Sequence, residues 1–438
     1  MKGIFLIILL IYTHAGVAQD KQEWTLQECV NYALKNNISV KRSSLSVTQE
    51  QAALSQSKAA LLPSLNGRAS HTYNFGQNED PTSGIIIDLD SRSNTLGVGA
   101  DVTLFDGFSN YNRIKQNNLF LEASLADLEQ ARNDIGLNVA QAYLQIIFNI
   151  ELLETAKTQL ETTAEQVRRT KVLVSAGSLP LADQYEILAQ QATDEANIVT
   201  RENELELSKL QLMQLLQLAY DPGFSIVIPD IDVDLAPLDL DSEKIYDIAL
   251  LNQPFIAASN LRVEAGEVGI SVAKGAYMPS IYAFAAMDTR YIDRDRAFTF
   301  SDQLENNLGQ NIGFQLNVPI FNNFRIRQSV QNATIARENA ELNSIDARNN
   351  LREQVEQAYL NAKAALKSYS SSQNQVEALR IAFENIEKRR NAGGVTITDY
   401  TIALNNLTAA ESDMIRAKFD YIFTRKILDF YQGKQIDL

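Results

Sequence analysis

Two carboxylates stand out as candidate functional side chains in a chain where histidine and cysteine are almost absent. Asp183 and Asp399 each follow a glycine, Gly177 and Gly393, by the same short spacing. That spacing puts each carboxylate in the first turn of a helix that begins after a glycine turn. An acid there suits the positive helix end, so capping explains both residues as well as any role toward a ligand does. Of the 2 histidines, His14 lies within the expected signal peptide, which leaves His71; Cys29 is the 1 cysteine. A histidine-based metal site, a Ser-His-Asp triad or a Cys-His pair would each lack its companions. No catalytic, cofactor-binding or metal-ligating residue is predicted, and enzymatic activity is not expected. The net charge of −15 argues against nucleic acid as a partner.

The N-terminus carries Lys2, an apolar run from Gly3 to Tyr12, and small residues ending at Gly16-Val17-Ala18. This pattern predicts a secretory signal peptide over 1–18, because the apolar core is too short to span a bilayer as a helix. No later stretch has the length and apolar character of a membrane-spanning helix. Cys29 lies well beyond the cleavage point and so offers no lipid attachment at a processed N-terminus. It is expected to be a small core residue, and one cysteine allows no intrachain disulfide.

The elements that must position the two aspartates are written twice. The second copy is displaced by a constant 216 residues: Lys58-Ala59-Ala60-Leu61-Leu62-Pro63-Ser64-Leu65 falls on Lys274-Gly275-Ala276-Tyr277-Met278-Pro279-Ser280-Ile281. Likewise, Leu104-Phe105-Asp106-Gly107-Phe108 falls on Ile320-Phe321-Asn322-Asn323-Phe324, and Ala176-Gly177 on Ala392-Gly393. The repeat is too long for a solenoid unit, so it predicts duplication of a half-molecule. The first repeat is placed at 19–220, a connector rich in Asp and Pro at 221–239, and the second repeat at 240–438.

Each copy is predicted to run helix, strand, loop, strand, very long helix, tight turn, long helix. In the very long helix, Ile135, Val139, Ala142, Ile146, Asn149, Leu153, Ala156, Leu160, Thr163, Val167, Thr170 and Val174 alternate spacings of four and three, a heptad seam. Leu351, Val355, Ala358 and their successors to Arg390 repeat it. About 65 helical residues would span on the order of 100 Å. Alternation predicts strands at about 64–76, 94–105, 280–289 and 308–320, each with one apolar or small face and one polar face. Tyr282 and Phe284 break the pattern by standing opposite Ile281, Ala283 and Ala285. Pro63 and Pro279 mark where helix gives way to strand. Phe105, Phe108, Phe321 and Phe324, at the return to helix, are expected to be core residues. A strand of this length suits a tilted crossing of an outer membrane, although a half-buried soluble sheet alternates in the same way. Four strands are too few to close a barrel with a lumen, so a channel would require oligomerisation. A secreted coiled-coil scaffold or adhesin without a pore stays open as the alternative.

The duplicated plan, the Leu62-Pro63-Ser64-Leu65 and Met278-Pro279-Ser280-Ile281 junctions, the Leu104-Phe105-Asp106-Gly107 and Pro319-Ile320-Phe321-Asn322 returns and the glycine turns together resemble the TolC-like outer-membrane efflux proteins. The resemblance covers nearly all of the mature chain. It implies a mainly α fold with a membrane β-barrel portion: a homotrimer whose 12-stranded barrel, in contact with outer-membrane lipid, continues into a periplasmic α-helical coiled-coil tunnel. It also implies an exit channel for a tripartite efflux or type I secretion system, reached by an inner-membrane transporter through a periplasmic adaptor protein. By the same resemblance, the turns at 175–180 (Gly177, Ser178, Leu179) and 391–396 (Gly393, Gly394, Val395) would dock the adaptor. Asp183, Asp399 and Arg390 would belong to the entrance, with Asp399 forming a ring of three carboxylates. The chain departs from the family pattern at Ile402, where an acid is expected, and at Arg390 and Val395, so any entrance lock must use other contacts.

Overall fold

The computed structural model describes residues 23–79, 84–88, 90–229, 240–293 and 298–434. The expected signal peptide and residues 230–239 of the expected connector lie outside these. In chain order the elements are α1 (Leu26–Asn36), α2 (Ile38–Ala59), β1 (Ser64–Asn74), β2 (Gln77–Glu79), β3 (Ile86–Asp88), β4 (Ser91–Phe105), α3 (Ser109–Ser175), α4 (Leu181–Leu216) and α5 (Ser242–Asn252). There follow α6 (Pro254–Gly275), β5 (Ser280–Ile292), α7 (Phe300–Asn306), β6 (Gly309–Asn317), α8 (Arg325–Asn391) and α9 (Ile397–Tyr431). The offset of 216 separates α1 from α5, α2 from α6, and α3 from α8 at both of their ends. The single first helix expected in each copy is two. Asn37 is extended at the break, and Pro254 opens α6 at the equivalent place.

Two compact units emerge, and each draws on both copies: 1–38, 133–241 and 357–438 form one, and 39–132 and 242–356 the other. In the first unit the seam of α3 is the organising feature. Ile135, Val139, Ala142, Ile146, Asn149, Leu153, Ala156, Thr163, Val167 and Thr170 are all buried. Each large aliphatic among them contributes about 1.5–3 kcal/mol by leaving water. Thr163 and Thr170 are buried as completely as Val139, which keeps neighbouring backbones close. The Thr163 hydroxyl donates to Asp194 of α4 at 2.6 Å, and Gln190 donates to the same carboxyl at 2.8 Å. Cys29 is fully buried here, and burial pushes its thiol up to about 12, which leaves no thiolate for chemistry near neutral pH.

The second unit is built on one antiparallel sheet of four strands in the order β1-β4-β5-β6. Its register gathers the apolar positions on one side. Leu65 pairs with Ala100 and Ala69 with Leu96; Val98 pairs with Met287; Ala285 pairs with Ile312, and Ala283 with Phe314. Paired residues share a face, so Leu65, Ala69, Leu96, Val98, Ala283, Met287, Ile312 and Phe314 form one apolar surface. The other face carries Asn66, Arg68, Thr95, Asp101, Asp288, Asn311 and Gln315. Among the described residues no layer covers either face beyond the short α7 at one end of β5: β1 is exposed along its whole length, and Phe314 and Ile312 are 76% and 84% exposed. Phe284, an exception on the polar face together with Tyr282, lies against Gly313, where a Cβ would meet its ring at 2.7 Å. A missing side chain on β6 therefore makes room for the aromatic ring on β5.

The four phenylalanines at the returns are not core residues. Phe108, Phe321 and Phe324 are exposed, and Phe105 is half-buried. The reason is in the backbone. Gly107 and Phe108 are both left-handed (φ 67° and 65°), as are Asn323 and Phe324 (φ 53° and 61°). Two successive left-handed residues turn the chain sharply from strand to helix and throw the second ring outward. There it meets its partner edge-on, Phe105 with Phe108 at 5.3 Å and Phe321 with Phe324 at 5.7 Å.

Candidate functional site

The paired turns between long helices are built alike. After α3, the Ser178 N–H donates to the Leu173 carbonyl at 2.8 Å and the Gly177 N–H to Val174 at 2.9 Å. After α8, Gly394 donates to Arg389 and Gly393 to Arg390, both at 2.9 Å. Gly177 and Gly393 hold the left-handed conformation that this double closure requires (φ 74° and 78°). Glycine is thus explained by the helix stop alone. The closures satisfy the last carbonyls and leave Gly177, Ser178, Gly393 and Gly394 at the surface, with Leu179 and Val395 half-buried beside them.

The two helix starts after the turns differ. Pro180 precedes α4 and provides no side-chain cap. Thr396 precedes α9: its hydroxyl oxygen accepts from the Asp399 N–H at 3.1 Å and its hydroxyl donates to the Asp399 carboxyl at 2.8 Å. Asp399 is exposed and engaged in its own helix cap. Asp183 is half-buried and acts electrostatically on Arg390 of α8. The structure therefore brings together two of the three predicted entrance residues, Asp183 and Arg390, while Asp399 is held by Thr396.

Arg390 sits at the centre of a cluster that the sequence did not announce. Its guanidinium lies 5.0 Å from the centroid of the Tyr400 ring and donates to the Thr170 hydroxyl at 3.4 Å. Burial disfavours its charge, and Tyr400, Asp183 and Glu186 counter that effect. Tyr400 is fully buried among Val167, Ile187, Ile397 and Leu404, with Phe383 and Ile386 packed against the group. Burial, reinforced by Glu387, pushes the Tyr400 hydroxyl up to about 12, so it stays neutral. Thr398 of α9 donates to Glu186 of α4 at 2.7 Å, and Gln190 and Asn405 exchange hydrogen bonds one turn further along. The helices of both copies are thus joined at this end by polar contacts around one aromatic residue. Threonine recurring at Thr163 and Thr170 in an otherwise apolar seam was the available signal for a polar layer; nothing local marks Tyr400.

No helix among the described residues is long and apolar enough to cross a membrane, and no group of acidic, histidine or cysteine residues among them could hold a metal ion. What the arrangement offers is, in one unit, a sheet apolar on one face and, in the other, paired turns between long helices that stand at the surface beside charged groups.

Comparison with known proteins agrees with this arrangement. The family described as "Outer membrane efflux protein" matches residues 29–217 and again 245–433, once per copy and at the same offset. The outer membrane protein TolC of Escherichia coli is 22% identical over 436 residues, covering 95% of this chain and 84% of the relative. The alkaline protease secretion protein AprF of Pseudomonas aeruginosa is 21% identical over 390 residues, covering 86% and 77%. Among solved structures, the CmeC outer membrane channel of Campylobacter jejuni superposes with a TM-score of 0.79 at 19% identity, covering 93% of this chain and 85% of that one. Mainly helical, duplicated and carrying an uncovered sheet with one lipid-compatible face, the chain belongs to the outer membrane efflux protein family and is an outer-membrane channel protein.

Proposed function

We propose that three copies assemble into a passive exit duct of a tripartite efflux or type I secretion system. The single observation that carries this reading is the uncovered sheet, apolar along one face, with β1 and β6 as its outer strands. A lone four-stranded sheet of this kind leaves both edges open, and lateral pairing of β6 with β1 of the next copy closes a ring. Three copies give twelve strands, with the apolar face toward lipid and the polar face, including Arg68, Asp101 and Asp288, toward a lumen. The long helices then lie on the periplasmic side, and the strand ends at Asn74, Ser91, Ile292 and Gly309 lie toward the exterior.

The turns at 175–180 and 391–396 dock a periplasmic adaptor in this reading, and an inner-membrane transporter works through it. Their surface exposure and near-identical closure support two equivalent sockets per chain. A photo-crosslinker at Ser178 or Gly394 is expected to capture a periplasmic adaptor in cells, whereas the same probe at the exposed Ser371 on α8, remote from the turns, captures none. Equal yields at all three sites would remove the docking role. Cargo choice rests with the pump, since the duct selects little along its wall.

Asp399 supports a second element of the proposal, a ring of three carboxylates at the periplasmic entrance. Such a ring favours cations electrostatically. Asp399→Ala is expected to weaken cation preference in reconstituted channels, and Asp399→Asn, which keeps an oxygen acceptor for the Thr396 hydroxyl, is expected to do the same. Reversal potentials in a salt gradient read the change. Selectivity unchanged in both variants would leave Asp399 as a helix cap only.

A further inference from the structure

The loop between β5 and β6 contains a short helix whose placement no feature of the exit duct requires. β5 keeps its partner β4 out to Ile292, paired with Ser93, but its ladder with β6 stops at Asp288, paired with Gly309. From Thr289 to Ile292 the other edge of β5 therefore has no strand beside it. α7 takes that place with side chains. Gln303, only 3% exposed, accepts from the Ile292 N–H at 2.9 Å and donates to the Ile292 carbonyl at 3.1 Å, as a paired strand residue would. Asn307 donates to the Arg290 carbonyl at 2.7 Å, and the Thr289 hydroxyl donates to the Leu304 carbonyl at 2.6 Å. A capping box between Thr299 and Asp302 sets the start of the helix.

The register settles on which side of the sheet α7 lies. Thr289 pairs with Leu96, and Tyr291 with Asn94, so both belong to the apolar face that carries Ala69, Val98 and Met287. Thr289 is bonded to α7, and the Phe300 ring packs edge-on to Tyr291 at 5.0 Å. α7 is thus latched at the outer end of the apolar face. Leu304 turns toward the sheet, but Phe298 just before the helix, Phe300 at its start and Leu308 just after it are 50%, 50% and 49% exposed, while Asp302, Glu305 and Asn306 form its polar side. Tyr73 and Phe75 stand at the same end of the same face, stacked on each other and exposed. Exposed rings at the level where an apolar strand face ends are the pattern of a membrane–water boundary.

We propose that α7 is an interfacial helix that seats Phe298, Phe300 and Leu308 in the outer leaflet, at the boundary between acyl chains and headgroups, and so anchors the exit end of the duct. The occupant follows from position: these three residues, with the Tyr73, Phe75 and Tyr291 rings, stand where the apolar surface of the sheet ends at His71, Asn94 and Thr289, and a segment with apolar side chains beside an acidic helix side lies in the boundary plane. The latch through Gln303 keeps the helix against the sheet rather than above the opening. The inference rests on the reading of the apolar face as the lipid face.

Depth-dependent tryptophan quenching separates the two. In a Trp24→Phe background, which removes the one native tryptophan, the full chain carrying Phe300→Trp or Phe298→Trp is reconstituted in phosphatidylcholine vesicles brominated at defined acyl positions. Phe314→Trp, in the middle of the apolar face, is the reference. The expected result is blue-shifted emission from position 300 or 298, quenched best by shallow bromines at about 5–10 Å below the boundary, with position 314 quenched best by deep bromines. Position 314 quenched while 298 and 300 emit as in water and escape all bromines would overturn the inference and leave the lipid face standing. If none of the three is quenched, both readings fail.

Discussion

Replacing Gly107 with alanine is expected to prevent recovery of folded protein from the outer membrane. A Cβ built there would lie 2.2 Å from the Gly275 carbonyl oxygen and 2.8 Å from the Met278 Cβ, in a left-handed conformation with φ of 67°. Gly275 faces the same restriction, with a Cβ meeting the Ser109 hydroxyl at 2.3 Å and the Gly107 carbonyl at 2.7 Å. The two backbones touch where the strand return of one copy meets the helix end of the other. Neither main chain can move without breaking the start of β5 or of α3. Left-handed strain of about 1–2 kcal/mol and overpacking of about 1–3 kcal/mol both apply, a large fraction of the about 5–15 kcal/mol by which a domain is stable. Gly177→Ala is the control. Its φ is equally unfavourable, but nothing lies within 4 Å of the added Cβ, so only the left-handed strain of about 1–2 kcal/mol is at stake. Quantifying heat-resistant assembled protein in membranes tests the contrast; Gly107→Ala accumulating like Gly177→Ala would show that the junction is not close-packed in the working state.

Tyr400→Ala is expected to loosen the paired turns by about 3–5 kcal/mol, the range for deleting a fully buried aromatic side chain. The loss exceeds that of the ring's own contacts with Phe383, Ile187 and Leu404. Arg390 would lose the face on which its guanidinium rests, in a site where burial already works against its charge. Tyr400→Phe keeps the ring and is expected to behave nearly as the parent. Limited proteolysis of the solubilised protein at the arginine-rich end of α8 reads the effect, as does single-channel conductance in planar bilayers: Tyr400→Ala should be cut sooner and conduct more. Equal protease resistance and conductance in the alanine variant would show that Tyr400 does not hold the helices together.

Periodicity made much of this fold legible because it is written locally. The α3 seam from Ile135 to Thr170 follows from spacing, and β1, β4, β5 and β6 appear where alternation placed them, within a few residues. The outward phenylalanines did not follow, because left-handed φ at a residue with a bulky side chain leaves no trace in composition. Asn323 beside Phe324 was the faint sign. Tyr282 and Phe284 looked like faults in β5 until the register set Gly313 opposite Phe284. The polar loop over 290–307 concealed α7, although Thr299 and Asp302 carry the spacing of a capping box. At the turns, the glycines were readable as helix stops. Arg390, Thr170 and Tyr400 were not readable as neighbours, since they come from three helices and both copies, and only packing brings them together.

The mixing of copies within each unit also sets an order of events in the life of the chain. The central ladder of the sheet joins β4 to β5 through pairs such as Val98 with Met287, so nearly the whole first copy and the start of the second must be on the far side of the inner membrane before it can form. Until then β1 and β4 are an isolated hairpin with an apolar face, marginal alone and prone to the wrong neighbours. Pairing across so many intervening residues is slow. The duplicated architecture therefore carries a waiting period, during which the first half must be kept soluble and unpaired while the second half is still arriving.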